Sequence, residues 1–278
     1  AFITFENSRA EGATAANVDI PSKQRVTSNS SRLGFRGTES LGNGLDAIFQ
    51  FESTVTLDGS ASTLFGGARD SFVGLSGGFG TIKAGINSSP FRVLGAKFDV
   101  LGQETAAASN NLLGRIQNPG GAVLNPGFTT RMANSVMYVS PNLAGFNASL
   151  IYGANESKAE PNTAGTNNNS YGLGLNYAAG PFSVGYAYER RDDQGLSAAG
   201  ADEEADGHRV GAEWNFGMGR VGAVFDRQTL ERKGATSGEL ERDAWGVYGS
   251  FTVGNGEIWA NYVDADKVDL TGTAFGTD

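Results

Sequence analysis

Apolar and polar residues alternate along most of the chain in segments of about ten residues. The segment LDAIFQFE (45–52) is a clear example, because one of its faces holds Leu45, Ala47, Phe49 and Phe51. Alternation with a period of two predicts a β-strand with one apolar face. We identify thirteen such strands, of which the first (about 1–9) is partial.

The connections between these strands alternate between short and long. Glycine-rich turns such as GFG and PNLAG join some pairs, whereas polar loops of ten residues or more (155–169, 192–206, 231–242) join others. A soluble β-sandwich would also alternate apolar and polar residues, so alternation alone does not decide the architecture. The loop asymmetry and the strand length favour a transmembrane antiparallel β-barrel, whose sheet must close so that every backbone group is paired in lipid.

An odd number of strands is unusual in a bacterial barrel, which normally has an even number. The chain also stops in TGTAFGTD, which is typical of a loop. We therefore expect residues 1–278 to form a single barrel domain that lacks one or more strands at its C-terminal end.

Residues 88–130 interrupt the alternation. A loop of this length inside a compact domain is uncommon unless it is functional. We predict that the segment folds into the space enclosed by the strands and sets what passes through it.

Composition and charge exclude several classes of protein. Mean hydropathy is −0.26 and no apolar run approaches the ~18 residues of a spanning helix, so a helical membrane protein is excluded. The net charge of −9 argues against nucleic acid as a partner. The chain has no cysteine and a single histidine, His208, and no motif places a nucleophile beside it, so we predict no enzymatic activity and no cofactor.

Acidic residues are concentrated in the segment 192–206. We favour a solvated loop here, with binding of divalent cations at the outer surface as the alternative, since carboxylate oxygens suit such ions. The residues concerned are Asp192, Asp193, Asp202, Glu203, Glu204 and Asp206.

Three segments resemble the general porins of Gram-negative outer membranes, more narrowly the trimeric type. They are SSRLGFRGTESLGNGLDAIFQFE, RDSFVGLSGGFGTIKAG and NSVMYVSPNLAGFNASLIY. The resemblance implies a sixteen-stranded antiparallel barrel in the cell outer membrane, assembled as a homotrimer among lipid and lipopolysaccharide. It also implies a third external loop that folds inward and narrows the pore, and here that loop matches 88–130.

In that family, acidic residues on the inward loop face a row of arginines on the barrel wall. Arg32 stands where SRLGFRG carries a wall arginine, and alternation turns it inward together with Arg36. Arg131 matches another wall arginine and shares the parity of Ser135 and Met137.

The match to the family's constriction is incomplete. A third wall arginine is absent near the end of TIKAG, although Lys83 on that strand has inward parity. The proline-glutamate-phenylalanine signature of the loop is also missing. Asp99 and Glu104 are the acidic candidates on the loop.

The resemblance implies passive diffusion of small hydrophilic solutes and ions through a water-filled pore. Residues 88–130 contain three basic and two acidic residues, a net charge of +1, and the wall candidates add further positive charge. Fixed charge at a constriction decides which ions enter easily, so we expect a mild anion preference. The alternatives are a structural barrel that scaffolds envelope components and a soluble sandwich that binds sugars through its aromatic residues.

Overall fold

A computed structural model describes most of the chain. The described residues are 3–10, 20–59, 64–100, 109, 113–117, 123–124, 127–156, 168–193, 202–234 and 236–275. The structure is almost entirely β, with one described α-helix, α1 (Pro90–Lys97). Among the described residues, no helix has both the length and the apolar character needed to cross a membrane.

The strands follow one another at short intervals, as the alternation predicts. In chain order they are β1 (Ile3–Ala10), β2 (Ile20–Ser28), β3 (Arg32–Gly42), β4 (Leu45–Val55), β5 (Phe65–Ala68), β6 (Ser71–Gly77), β7 (Gly80–Ser88), β8 (Ile116–Gln117), β9 (Val123–Leu124), β10 (Arg131–Val139), β11 (Phe146–Gly153), β12 (Ser170–Ala179), β13 (Phe182–Asp192), β14 (Glu203–Asn215), β15 (Gly219–Arg232), β16 (Gly238–Val253), β17 (Gly256–Ala265) and β18 (Asp269–Gly272).

One antiparallel sheet of fourteen strands contains most of these elements. Its main path runs in sequence order from β3 through β4, β6, β7 and β10 to β17, and the short strands β5 and β18 pair with β4 and β16. The predicted antiparallel sheet is therefore confirmed. A total of sixteen strands, with further strands beyond residue 278, stays a prediction.

The two faces of the sheet differ as the sequence predicts. Large apolar side chains alternate along each strand and stay exposed on one face; Phe35, for example, is 70% exposed and Leu175 is 46% exposed. The opposite face holds glycine and polar residues, and α1 packs against that face. An apolar outer face is what a strand needs where its surroundings are hydrocarbon.

The first predicted strand does not join the main sheet. Instead, β1 pairs with β2 in a separate two-stranded sheet, in which Ile3 lies opposite Ser28. Ser30 has a positive φ of 44°, which interrupts the extended chain between β2 and β3. The β1–β2 pair instead contacts the end of β4, where the Ser28 Oγ atom donates to the Val55 carbonyl at 3.3 Å.

Several strands are longer than the predicted length of about ten residues. Strands β14, β15 and β16 contain 13, 14 and 16 residues. They extend into the segments 192–206 and 231–242, so the loops there are shorter than predicted. Charged side chains on neighbouring strands support this extension, since Arg190 lies 2.5 Å from Glu204 and Glu204 also pairs with Lys233. Opposite charges across a strand pair stabilise the sheet.

The C-terminal tail is also more ordered than its sequence indicates. Strand β18 pairs with the start of β16, where Leu270 lies opposite Leu240. Phe275 is only 9% exposed and belongs to the main apolar cluster. Burial of that ring explains why a segment typical of a loop folds back onto the sheet.

Residues 88–130 contain regular structure. They contain α1 and a short hairpin formed by β8 and β9. The Ser89 side chain caps α1 by accepting a hydrogen bond from the Arg92 backbone N–H at 3.2 Å, and Pro90 occupies the first turn. Serine before proline is a recognised signal for the start of a helix.

A pair of substitutions on β3 tests the assignment of the two faces. Phe35→Arg should lower the free energy of unfolding in lipid vesicles by about 2–4 kcal/mol, the range for arginine at the midplane of a lipid-facing surface. Thr38→Arg lies on the opposite face of the same strand and should change it little. Equal losses for both variants, measured by denaturant titration in vesicles, would contradict the assignment.

Candidate functional site

Helix α1 packs against the inner face of β12, β13 and β14. Its buried residues are Pro90, Phe91, Leu94 and Gly95, and Phe98 immediately after the helix is fully buried. The helix therefore uses its apolar side to dock on the wall rather than to form a separate core.

Inward-facing glycines make room for this docking. A Cβ added to Gly185 would overlap the Leu94 side chain, and one added to Gly211 would overlap the Phe98 ring. We call this surface the glycine groove, and it consists of Gly172, Gly174, Gly185, Gly207 and Gly211. Glycine inside a strand commonly marks the close approach of another part of the structure.

Other parts of the segment 88–130 also contact the wall. Leu113, Ile116 and Phe128 are buried in one apolar cluster with α1 and with residues of β13–β16. Two hydrogen bonds join the segment to the wall: Arg242 Nη1 donates to the Arg115 carbonyl at 2.6 Å, and Asn261 Nδ2 donates to Ser109 Oγ at 3.2 Å. A third lies within the segment, where Arg92 Nη1 donates to the Thr129 carbonyl.

The outer ends of β3, β4 and β10, together with residues 69 and 70, bring charged residues into a row. Arg69 Nε lies 2.5 Å from Glu52, and Arg32 Nε lies 4.0 Å from the same carboxylate. Asp70 follows, 3.1 Å from Arg131 Nε. We call these five residues the arginine row; it joins Arg32 and Arg131, both predicted from the sequence, through Glu52, Arg69 and Asp70.

Parity with Ser135 does not by itself assign a face to Arg131. Strand β10 contains a bulge between Met132 and Ser135, so simple alternation does not extend from Ser135 to Arg131. Asn134, at the bulge, has a positive φ of 50°. Arg131 lies opposite Ser88, immediately before the N-cap of α1, and its guanidinium bonds to Asp70.

Arg36 and Lys83 lie farther along the same part of the wall. Arg36 is exposed and lines a hollow of about 400 Å³ together with Gln50 and Phe72. The Lys83 Nζ atom lies 4.4 Å from the centre of the Phe72 ring, an attractive cation–π arrangement.

Of the two acidic residues predicted to line the pore from the loop, the structure describes only Asp99. Asp99 is only 2% exposed, so its carboxylate is covered rather than presented to open water. Glu104 lies outside the described residues, and its role stays a prediction.

Two charged groups near the loop have shifted pKa values. Burial opposes ionisation of Asp70, but the Arg131 guanidinium and hydrogen bonds from Ser88 outweigh it, so the pKa of Asp70 lies below its ordinary 3.8. Burial lowers the pKa of Lys97 below 10.5, and the nearby Glu213 carboxylate partly offsets this. Lys97 therefore becomes neutral at a lower pH than an exposed lysine.

Two buried ion pairs behind the loop were missed by sequence reasoning. Arg209 and Asp226 are both fully buried, and Glu189 pairs with Arg191 at 2.7 Å. Arg191 lies directly beneath Gly127, because a Cβ on that glycine would be 2.8 Å from Arg191 Nη1. Alternation turns these residues inward, but only the strand register brings the partners together.

Several described acids of 192–206 are paired with other residues. Asp192 and Glu204 contact Arg190, and Asp206 accepts a hydrogen bond from the Tyr188 hydroxyl. Within the described ranges, no cluster of three or more His, Asp or Glu could hold a metal ion. Divalent cation binding by this segment stays a prediction.

His208 is exposed, and it has partners on the outer face. Its Nδ1 atom lies 2.8 Å from the Tyr186 hydroxyl, and its ring centre is 5.0 Å from that of Tyr188. The two tyrosines place His208 in an aromatic cluster on the outer face of the sheet.

An antiparallel sheet with an apolar outer face and an inner face covered by a docked segment is the architecture of a membrane β-barrel channel. Comparison with family models agrees, since residues 4–278 match the Gram-negative porin family. The chain belongs to that family, which confirms the resemblance. It is an outer-membrane porin that allows small hydrophilic solutes and ions to diffuse through its pore.

Solved structures give the same fold. The anion-selective porin from Comamonas acidovorans has a TM-score of 0.73 at 26% identity, covering 91% of this chain and 73% of that one. OmpT of Vibrio cholerae in its trimer form has a TM-score of 0.65 at 16% identity, covering 90% and 73%.

A third solved structure, Salmonella typhi OmpF in complex with daunomycin, has a TM-score of 0.60 at 15% identity, covering 99% of this chain and 91% of that one. Comparison with curated protein sequences gives no match.

Asp70 should make stability depend on pH. Its folded pKa is below the ordinary value of 3.8, so it stabilises the fold above about pH 4 and loses this effect as pH falls through the folded pKa. Asp70→Asn should therefore destabilise the protein at pH 7 by about 1 kcal/mol, the upper range for a partly exposed pair. The difference between protein and variant should shrink as pH falls below 3.8.

Denaturant titrations at several pH values in detergent measure this effect. Asp269→Asn, which changes an exposed carboxylate on β18, is the matched control and should show little loss at any pH. A loss at pH 7 that persists undiminished in acid would contradict the role given to the Asp70–Arg131 pair.

Proposed function

We propose that the pore of this porin prefers anions and that residues 88–130 form its constriction. The observation that carries the proposal is the excess of positive charge on the part of the wall formed by β3, β4, β7 and β10. The arginine row contains three guanidinium groups and two carboxylates, and Arg36 and Lys83 add two more cations on the same wall.

The charged residues of the segment 88–130 also carry a net positive charge. Its described charged residues are Arg92, Lys97 and Arg115 against the buried Asp99. The buried pairs Arg209–Asp226 and Glu189–Arg191 are neutral overall and do not offset this charge. Fixed charges within a narrow water-filled passage determine ion entry, because counter-ions concentrate there and like charges are repelled.

The acidic balance of the whole chain is compatible with this preference. The net charge is −9, but described acids such as Asp192, Glu204 and Asp243 are ion-paired on the outward face or at the outer rim. Charges separated by more than the Debye length of ~8–10 Å are largely screened at physiological salt. The nearest charges on the wall and on the loop therefore set the selectivity.

Reversal potentials in a planar bilayer under a salt gradient test the proposal. The protein should be anion-selective, and Arg36→Gln should reduce that selectivity because it removes an exposed charge on the inner face. Arg227→Gln is the matched control, since Arg227 is 49% exposed on the outer face. Cation selectivity of the unmodified protein, or equal effects of both substitutions, would overturn the proposal.

We also propose that the protein assembles as a homotrimer in contact with lipid and lipopolysaccharide. Membership of the porin family supports the proposal, and one structurally similar outer membrane protein, OmpT of Vibrio cholerae, is described in a trimer form. Pairs of exposed aromatic residues, such as Trp214 with Phe182 and Trp245 with Tyr262, suit the interfacial region of a lipid bilayer.

Chemical cross-linking in mild detergent measures the assembly state. Increasing cross-linker should convert the monomer band through a dimer to a trimer and no further. A protein that stays monomeric in detergent and in lipid vesicles would contradict the trimer.

A further inference from the structure

Arg209 and Asp226 form an ion pair that is fully removed from water. They lie opposite each other on β14 and β15, and both side chains are 0% exposed. Arg209 Nε donates to Asp226 Oδ1 at 2.6 Å, and Nη2 donates to Oδ2 at 2.5 Å. The bidentate arrangement fixes the plane and position of the guanidinium.

The same guanidinium contacts the first turn of α1 in two ways. Its Nη1 atom donates to the Phe91 carbonyl at 3.1 Å, and its Cζ atom lies 4.1 Å from the centre of the Phe91 ring. Phe91 in turn packs against Phe128, with ring centres 5.4 Å apart. Arg209 therefore links the strand pair β14–β15 to Phe91. Phe91 in turn connects two distant parts of the segment 88–130 through its contact with Phe128.

A second pair on the neighbouring strands provides a comparison. Arg227 and Asp243 on β15 and β16 are also bidentate, at 2.8 and 2.6 Å, but Arg227 is 49% exposed on the outer face. Both pairs join adjacent strands, and only Arg209–Asp226 contacts α1. Because burial of an ion pair costs desolvation free energy, the buried pair is poorly explained by strand stability alone.

We propose that Arg209, held by Asp226, is a positioning residue that locks α1 against the glycine groove and so fixes the width of the pore. This inference rests on the proposed constriction by residues 88–130. The ion pair holds the guanidinium, the guanidinium holds the Phe91 carbonyl and ring, and the helix behind Phe91 stays on the wall instead of moving into the open passage.

Single-channel recording with two kinds of variant tests the proposal. Replacing Arg209 and Asp226 together by leucine removes the lock without leaving a buried unpaired charge. Phe91→Leu removes the ring contact and leaves the ion pair intact. Each pore of the unmodified protein should hold one stable conductance level, whereas each pore of either variant should switch among several levels.

The matched control replaces Arg227 and Asp243 by leucine, and it should keep the single level of the unmodified protein. If the double variant of Arg209 and Asp226 does not fold, Phe91→Leu decides the question. A single unchanged level in a folded lock variant would overturn the proposal. An unmodified protein that conducts no current would instead refute the pore itself.

An engineered disulfide shows whether the effect of Phe91→Leu comes from a displaced helix or from a general loss of stability. The chain has no cysteine, and the Leu94 side chain reaches the site of a Cβ on Gly185. Leu94→Cys with Gly185→Cys, added to Phe91→Leu, should restore the single level when oxidised and lose it again in reductant. Multiple levels that persist after the disulfide has formed, as verified by thiol labelling, would also overturn the proposal.

Discussion

Backbone hydrogen bonding is the constraint on which the rest of this structure depends. In hydrocarbon, an N–H or C=O group has no water to bond, so each strand needs a neighbour along its length. The chain meets this requirement with a nearly uninterrupted antiparallel ladder from β3 to β17, in which neighbours in sequence are mostly neighbours in the sheet. With the backbone paired in this way, one face is left to meet lipid and the other to line the pore.

The inner face is specialised in two different ways around the sheet. Over β12–β14 it is lined by small residues, and the glycine groove accepts the apolar side of α1. Over β3, β4 and β7 it retains charged side chains such as Arg36 and Lys83, and the arginine row lies at the ends of β3, β4 and β10. One side of the wall thus anchors the segment 88–130, and the other side faces the remaining passage with excess positive charge.

The candidate site was partly predictable because the side-chain direction in a strand alternates residue by residue. Arg32, Arg36 and Lys83 follow from that rule. Arg131 does not, since the bulge at Asn134 inserts an extra residue between Arg131 and Ser135 and breaks the parity that they would otherwise share. The partners Arg69 and Asp70 stand in a short connection without alternation, so only the folded wall brings them beside Glu52 and Arg131.

For the fold as a whole, the sequence predicted the strands along the main path of the sheet, their two faces and the porin family, because these depend on local periodicity and local motifs. Its signals failed where distant contacts decide: β1 pairs with β2, β14–β16 extend through charged cross-strand pairs, and Phe275 is buried by the main cluster. Ser89 and Pro90 signal a helix locally, but nothing local specifies its destination. Only the tertiary structure decided that α1 docks on the glycine groove beside Arg209 and Asp226, since register across separate strands brings those groups together.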